Sequence, residues 1–211
     1  MSLTLFIFTF FSMALILIPF TFAIIYWVKR GLFFDQKTNI IVIYFIVIIF
    51  LHIWVTYLAF NRTNNLFLIR ANNFVDISFV GLFLLSLYLS STQARIIITI
   101  LLLSVVYLID QVLGVPETSP NEQTSAVSII LILLVILTTK KINYTEEKEK
   151  AYSYFLIAIV IGAINNLSIN FNDIHPDLFM IIINIANIAS YTFYSLGFYT
   201  LLKTPQFQNN L

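Results

Sequence analysis

The sequence predicts an all-α protein, a polytopic transmembrane bundle of seven helices, and three observations lead to this prediction. Of its 211 residues, 60% are hydrophobic and 10% are charged, and the mean hydropathy is +0.94, whereas a soluble domain carries about 25% charged residues. The apolar residues fall into seven runs of roughly the 20 residues that a helix needs to cross a bilayer. Runs such as residues 129–134 lack the alternating polar residues of membrane β-strands, so the spans are expected to be helices.

The seven predicted spans make one transmembrane domain that covers residues 1–211. They comprise residues 3–28, 38–60, 66–90, 95–113, 124–139, 151–169 and 177–202. The first span is followed, not preceded, by Lys29 and Arg30, so it is expected to stay in the mature protein. The connection between the fourth and fifth spans contains Gly114 and two prolines and is predicted to be a turn. Residues 145–150, which include three glutamates, are expected to extend the sixth helix beyond the bilayer.

Lysine and arginine are distributed asymmetrically between the two ends of the predicted spans. One side carries nine of them, namely Lys29, Arg30, Lys37, Arg95, Lys140, Lys141, Lys148, Lys150 and Lys203. The other side carries Arg62 and Arg70. Because basic residues stay on the cytoplasmic side, this asymmetry predicts an inner-membrane protein with its N-terminus outside and its C-terminus in the cytoplasm.

Composition also excludes several classes of function. The net charge of +1 and the scattered basic residues give no extended basic face, so no nucleic-acid partner is expected. The absence of cysteine excludes disulfides and thiolate metal sites. With two histidines, a catalytic metal site that needs three protein ligands is not expected, and neither is a cofactor. The chain lacks a Gly-x-Ser-x-Gly motif and a phosphate-binding glycine loop.

Polar residues inside the predicted spans are the candidate site, because such residues are costly in hydrocarbon. With the orientation above, nearly all of them fall in the outer half of the bilayer. The candidate ligand-binding residues are His52, Arg70, Asn73, Asp76, Tyr107, Asp110, Gln111, Asn166, Asn184, Asn187 and Tyr191.

The spacing of these residues predicts that they face the interior of the bundle. In the third helix Asn73 and Asp76 are three residues apart and share a face. Similar stripes occur in the seventh helix, with Asn184, Asn187, Tyr191 and Tyr194, and in the fourth, with Ser104, Tyr107 and Gln111. An unpaired amide facing lipid would cost several kcal/mol, so each stripe is expected to point inward.

Two interpretations of this polar cluster stay open at the sequence level. It can be interhelical packing, with side-chain hydrogen bonds between helices and Asp76 paired with Arg70 or Arg62. It can also be a polar pocket, open to the outside, that binds a small ligand or passes a solute. The concentration of the polar residues in one half of the bilayer favours the pocket, because packing alone would not require it.

His52 has three interpretations: a packing residue bonded to a neighbouring helix, a pH-responsive or ligand-contacting group, and a metal ligand. An intramembrane enzyme would require His52, Asp76 and Asp110 to converge within hydrogen-bonding distance. The sequence leaves this convergence undecided.

The stretch Tyr-Leu-Ala-Phe-Asn-Arg-Thr-Asn-Asn-Leu-Phe-Leu at residues 57–68, the chain length and the Ile/Phe/Asn-rich composition carry a resemblance. In these features the chain resembles small seven-helix integral membrane proteins of Bacteroidetes, a group without an assigned function. Asn73 and Asn187 are similar to asparagines of the SWEET sugar transporters, but the helix prolines of that family are missing. Retinal proteins need a lysine in the middle of the last helix, whereas Lys203 lies beyond its end.

These observations predict a protein of the lipid bilayer that binds a small molecule or a lipid and acts as a sensor or accessory subunit. A membrane or cytoplasmic protein partner would go with that role. A small-solute transporter is the alternative, and an intramembrane enzyme is third. A transporter requires a polar path through the inner half of the bundle, where the seventh helix offers mainly Tyr194, Ser195 and Tyr199.

Overall fold

The computed structural model describes residues 11, 14–30, 35–60, 66–113, 121–142, 145–168 and 176–204. Seven helices make up the regular structure of these residues, and none of them lies in a strand. The helices are α1 (Leu17–Arg30), α2 (Gln36–Phe60), α3 (Leu66–Val75, Asp76–Gly81 and Leu82–Tyr88 in succession), α4 (Thr92–Leu113), α5 (Asn121–Thr139), α6 (Glu147–Ser168) and α7 (Pro176–Lys203). The prediction of an all-helical chain is therefore confirmed.

The helices from α2 onward begin and end within about four residues of the predicted spans. The predicted first span, 3–28, lies partly outside the described residues, and the described helix α1 begins at Leu17. Charge and proline placement explain several ends. Pro176 is the first residue of α7, where the backbone N–H would have no intrahelical partner and its absence loses no hydrogen bond. Glu147 and Glu149 lie in the first turn of α6, where the helix dipole favours negative charge.

Four of these helices are long and apolar enough to cross a membrane. The stretches are Gln36–Val55 in α2, Arg70–Tyr88 in α3, Glu147–Leu167 in α6 and Met180–Lys203 in α7. Helices α4 and α5 contain shorter apolar stretches, Thr92–Leu108 and Gln123–Thr139. Large apolar side chains such as Phe50, Ile97 and Ile185 are exposed on the outside of the bundle, where a bilayer would surround them. The fold is that expected of a membrane protein.

Helix α7 is the centre of one half of the bundle. It packs along α6 over most of its length and against α1 on another side. Helix α6 also packs against α5, and α1 packs against α2. Helix α3 lies against α2, α4 and α5 and so closes the other half.

Five buried aromatic side chains form a layer across the middle of the bundle, here called the aromatic layer: Phe45, Phe83, Phe155, Tyr194 and Phe198. The ring centroids of Phe45 and Tyr194 are 4.9 Å apart, and those of Phe155 and Phe198 are 5.0 Å apart, both pairs edge to face. Phe83 packs edge to face on Phe155 at 5.9 Å. Such pairs contribute about 0.5–1.5 kcal/mol each beyond burial of their area, so this layer ties α2, α3, α6 and α7 together.

Arg30 joins the end of α1 to the end of α7. Its Nη2 donates to the carbonyl oxygens of Leu201 at 3.3 Å and Leu202 at 3.1 Å, and to that of Thr204. These carbonyls belong to the last turn of α7, which lacks intrahelical partners for them. A guanidinium there also interacts favourably with the negative end of the helix dipole.

Asp35 joins the start of α2 to the start of α6. Its Oδ2 accepts hydrogen bonds from the Thr38 hydroxyl and from the Tyr152 hydroxyl, the latter at 2.6 Å, and lies 3.4 Å from the Lys148 Nζ. Its Oδ1 accepts from the Lys37 backbone N–H at 3.3 Å. Burial alone would raise the pKa of Asp35, but the Thr38 and Tyr152 hydrogen bonds and the Lys148 charge together hold it below its usual value.

Replacement of Gly197 by alanine should destabilise the aromatic layer. A Cβ atom at Gly197 would lie 2.3 Å from Cε1 of the Phe155 ring, so the ring must move out of its buried position. We expect Gly197→Ala to lower the free energy of unfolding by about 1–3 kcal/mol, measured as a lower melting temperature in detergent. Gly162→Ala is the matched control, since its Cβ would meet the Ser190 Oγ at 3.8 Å. Equal melting temperatures for the two variants would contradict this account.

Asp35→Asn should lower the free energy of unfolding by about 1–3 kcal/mol, whereas Lys148→Met should lower it by less than about 1 kcal/mol because Lys148 is 42% exposed.

The folded-state pKa of Asp35 lies below its usual 3.8. Its contribution is therefore complete above about pH 4 and is lost as the pH falls through the lowered pKa. The melting-temperature difference between wild type and Asp35→Asn should stay constant from about pH 7 to 5 and shrink below about pH 4. A difference that grows on acidification would refute this.

Candidate functional site

A cavity of about 290 Å³ lies among α2, α3, α6 and α7, on the opposite side of the aromatic layer from Asp35. Its polar lining comes from Tyr44, His52, Asn72, Asp76, Asn165, Asn166, Asn187, Ser190, Tyr191 and Tyr194. Apolar side chains, among them Ile48, Val80 and Ile159, complete the wall. The cavity thus combines polar and apolar surface, the combination that small-molecule sites in proteins use.

Asp76 is the acidic residue of this wall among the described side chains and is only 6% exposed. The Tyr44 hydroxyl donates a hydrogen bond to its Oδ1 at 3.1 Å, and the Asn72 amide donates to its Oδ2 at 3.4 Å. Within the described residues Asp76 forms no ion pair, and the pairing with Arg70 that the sequence left open is not made. Arg62, the other partner considered, lies outside the described residues.

An unusual turn of α3 positions Asp76. The helix is α-helical over Leu66–Val75, π-helical over Asp76–Gly81, and α-helical again over Leu82–Tyr88. A π-helical turn is rare, adds a residue to the turn and occurs frequently at functional sites. Asp76 and Val80, both in this turn, line the cavity, while Phe83 just below it joins the aromatic layer. The turn therefore connects the charged wall of the cavity to the aromatic side chains beneath.

Helices α6 and α7 supply the amide side of the cavity. The Asn165 amide donates to the Asn187 Oδ1 at 3.0 Å, and the Ser190 hydroxyl donates to the Ala158 carbonyl oxygen at 3.0 Å. These bonds fix the two helices against each other along the cavity. Asn166 also lines the cavity and makes no hydrogen bond within the described residues, so its amide can bond to a ligand.

The aromatic layer closes the inner end of the cavity. Phe45 and Tyr194 belong both to the cavity wall and to this layer. Beyond them Phe83 packs on Tyr152 at 5.9 Å, and Tyr152 in turn bonds to Asp35. Buried rings therefore separate the cavity from the Asp35 cluster at the other end of the helices.

Of the residues that the sequence singled out, five line this cavity: His52, Asp76, Asn166, Asn187 and Tyr191. Asn184 is buried and Arg70 is half-buried, and neither belongs to the cavity wall. Asn73 packs helices together instead, since its amide donates to the Gln123 Oε1 at 3.1 Å and to the Thr124 Oγ1 at 3.0 Å on α5. Some residues of the polar cluster thus line the cavity, and Asn73 bonds to a neighbouring helix.

The expected inward stripe of the fourth helix is wrong for Ser104 and Tyr107. Ser104 is exposed and Tyr107 is 54% exposed, and both lie on the outer surface of α4. Helix α4 lies at the edge of the bundle and buries another face, which includes Thr99 and Val106. The Ser104 hydroxyl donates to the Ile100 carbonyl oxygen of its own helix at 2.9 Å, so it needs no neighbour. The side chains of Asp110 and Gln111 lie outside the described part of the chain.

Sequence reasoning missed Tyr44 and did not include Asn72, Asn165 or Ser190 among the candidates. A tyrosine in the middle of an apolar span was a usable signal, because membrane tyrosines usually lie near the bilayer surface. Tyr44 departs from that pattern and bonds to Asp76. The π-helical turn leaves no such signal in the sequence.

Two observations concern metal binding and intramembrane catalysis. Among the described residues, no three His, Cys, Asp or Glu side chains are grouped as a metal ion would require. His52 and Asp76 share the cavity, and the side chain of Asp110, the third residue that an intramembrane enzyme would require beside them, lies outside the described residues.

Comparison with known proteins found no matching family model, no matching curated protein and no matching solved structure. The resemblance to small membrane proteins of Bacteroidetes stays a prediction. A function for the chain therefore has to be argued from the cavity and its surroundings.

Two asparagines allow packing and cavity roles to be separated. Asn73→Ala removes the hydrogen bonds to Gln123 and Thr124 of α5 and should lower the free energy of unfolding by about 0.5–2 kcal/mol. Asn166→Ala removes an amide without a protein partner in the described structure, so its melting temperature should stay close to that of the wild type. Thermal unfolding of both variants in the same detergent is the measurement. A larger loss for Asn166→Ala would show that this residue holds the fold.

Proposed function

We propose that the chain is a multi-pass inner-membrane protein of seven spans, with its N-terminus outside, whose cavity opens outward and binds a small molecule or part of a lipid. In this role it acts as a sensor or as the accessory subunit of a membrane complex. One observation carries the proposal: a cavity of about 290 Å³ that places a buried carboxylate and several amides beside apolar walls. Pure helix packing would fill such a space with side chains.

The contacts between helix ends support the orientation. Arg30 bonds to the end of α7, Lys148 pairs with Asp35 at the start of α2, and the Lys141 Nζ lies 5.7 Å from the Tyr88 ring centre at the end of α3. These contacts bring basic residues from distant parts of the sequence to one end of the bundle. By the positive-inside rule that end is cytoplasmic, and the cavity then lies towards the outside.

The aromatic layer supports binding over transport. A transported solute would have to pass Phe45, Tyr194 and the rings below them, which are buried and contact one another edge to face or tilted. Those rings belong to the buried hydrophobic core of the bundle. The aromatic layer therefore closes the inner end of a binding site that ligands enter from outside.

A transporter is the second candidate, and one observation favours it. The Asp35 cluster, with the Tyr152 and Thr38 hydroxyls, is a second buried polar region beyond the aromatic layer. Rotation of a few rings would connect it with the cavity. Such alternate opening of two polar regions is the way in which secondary transporters move a solute.

Cysteine accessibility tests the proposal directly, because the chain has no natural cysteine. We expect Asn166→Cys and Asn187→Cys, both in the cavity wall, to react with a membrane-impermeant maleimide added outside intact cells. Asn73→Cys and Thr38→Cys, both buried away from the cavity, should stay unlabelled. Lys150→Cys, exposed at the basic end, should react only after the cells are permeabilised.

The labelling pattern distinguishes the proposed binding site from the alternatives. Protection of both cavity positions would refute an outward-open cavity, and labelling of Lys150→Cys in intact cells would reverse the orientation. Labelling of Thr38→Cys from outside would move the transporter to first place, since the reagent must then have passed the aromatic layer.

A further inference from the structure

We propose that the ligand of the cavity is a small organic cation, an amine or a quaternary ammonium, whose positive charge is held by Asp76. This inference rests on the proposed ligand-binding function and specifies the chemical class of the ligand. It follows from the charge, the ring content and the size of the cavity.

The carboxylate of Asp76 has neutral partners only in the described structure. Both of its hydrogen bonds come from uncharged groups, the Tyr44 hydroxyl and the Asn72 amide. A buried charge is costly unless an opposite charge compensates it. The described cavity wall holds one histidine, His52, and no lysine or arginine, so no permanently positive side chain of the described residues compensates Asp76 there. A cationic ligand would supply the compensating charge, and an anion would be repelled.

The rings of the cavity wall favour the same sign of charge. Tyr44, Phe45, Tyr191 and Tyr194 all line the cavity around Asp76. Aromatic rings attract cations through the negative potential of their faces, and this attraction strengthens when the cation is desolvated. Recognition of ammonium groups by several rings and a carboxylate is chemically consistent with this wall.

The size and the apolar walls favour an organic cation over a metal ion. At about 30 Å³ per water molecule, 290 Å³ corresponds to roughly ten waters, or a ligand of about ten non-hydrogen atoms. Ile48, Val80 and Ile159 would contact its carbon skeleton. Ca²⁺ sites usually combine several carboxylate and carbonyl oxygens at about 2.3–2.6 Å, whereas Asp76 is the one carboxylate in the described cavity wall, and no three His, Cys, Asp or Glu side chains of the described residues are grouped. The free amide of Asn166 can bond to a polar group at the other end of the ligand.

The test compares cations with uncharged molecules of the same shape. Purified full-length protein in nanodiscs is titrated calorimetrically with phenethylamine and 2-phenylethanol, with choline and 3,3-dimethyl-1-butanol, and with phenylacetate. We expect at least one of the two cations to bind about tenfold or more tightly than its neutral isostere, and phenylacetate to bind weakest. This comparison uses the wild type and needs no variant to fold.

Variants then locate the charge. Asp76→Asn should reduce the cation preference to less than about twofold. Glu147→Gln, which removes one negative charge from the exposed start of α6, should leave the preference unchanged. A preference that survives in Asp76→Asn would overturn the assignment.

The outcomes separate this inference from the function on which it rests. If the neutral isosteres or phenylacetate bind as tightly as the cations, the cavity is a binding site but its selectivity for cations is refuted. If sodium or potassium ions stabilise the protein and neither organic cation does, the ligand class is wrong. If no probe binds and the cavity cysteines stay unlabelled, both the inference and the proposed function fail.

Discussion

Polar groups that lie among apolar helices have no water to bond with, so each of them has to find a partner inside the bundle or at its ends. This constraint organises the whole structure. At one end Arg30 donates hydrogen bonds to carbonyl groups at the end of α7. Asp35 accepts hydrogen bonds from two hydroxyls and forms an ion pair with Lys148. In the middle, Asn73 bonds to α5, and serines and threonines bond to carbonyls of their own helices. These polar groups have hydrogen-bond partners within the bundle, whereas a few other polar side chains face the cavity.

The aromatic layer divides the polar groups into two sets. Along α2 the order is Asp35, then Phe45, then His52, and along α6 it is Lys148, then Phe155, then Asn166. Buried rings lie between the two sets of polar groups. Gly197 makes the layer possible, because only a residue without a Cβ lets the Phe155 ring lie directly on the α7 backbone. A single backbone position thus determines how closely the Phe155 ring packs on α7 within the aromatic layer.

The two carboxylates, Asp35 and Asp76, show how surroundings decide the role of one chemical group. Asp35 has a lysine, two hydroxyls and a backbone amide, which together stabilise its negative charge and make it a structural junction. Asp76 has one hydroxyl and one amide and faces a cavity with aromatic walls. The first carboxylate is fully paired by the protein, whereas the second has capacity left for a ligand. This difference is the basis of the cation proposal.

The sequence by itself determined the helical class and placed the ends of α2 to α7 to within about four residues, because the length of an apolar run and the polar residues that bound it are local properties. It also indicated His52, Asp76 and Asn187 as polar groups that had to be accommodated. Only the tertiary structure decided which of them meet. Helix α4 lies at the edge of the bundle, so Tyr107 faces outward. Asn73 bonds to α5, and the Tyr44 hydroxyl bonds to Asp76, the first residue of the π-helical turn. These outcomes depend on helix rotation and neighbours, which are set by packing over the whole bundle and not by the spacing of residues along one helix.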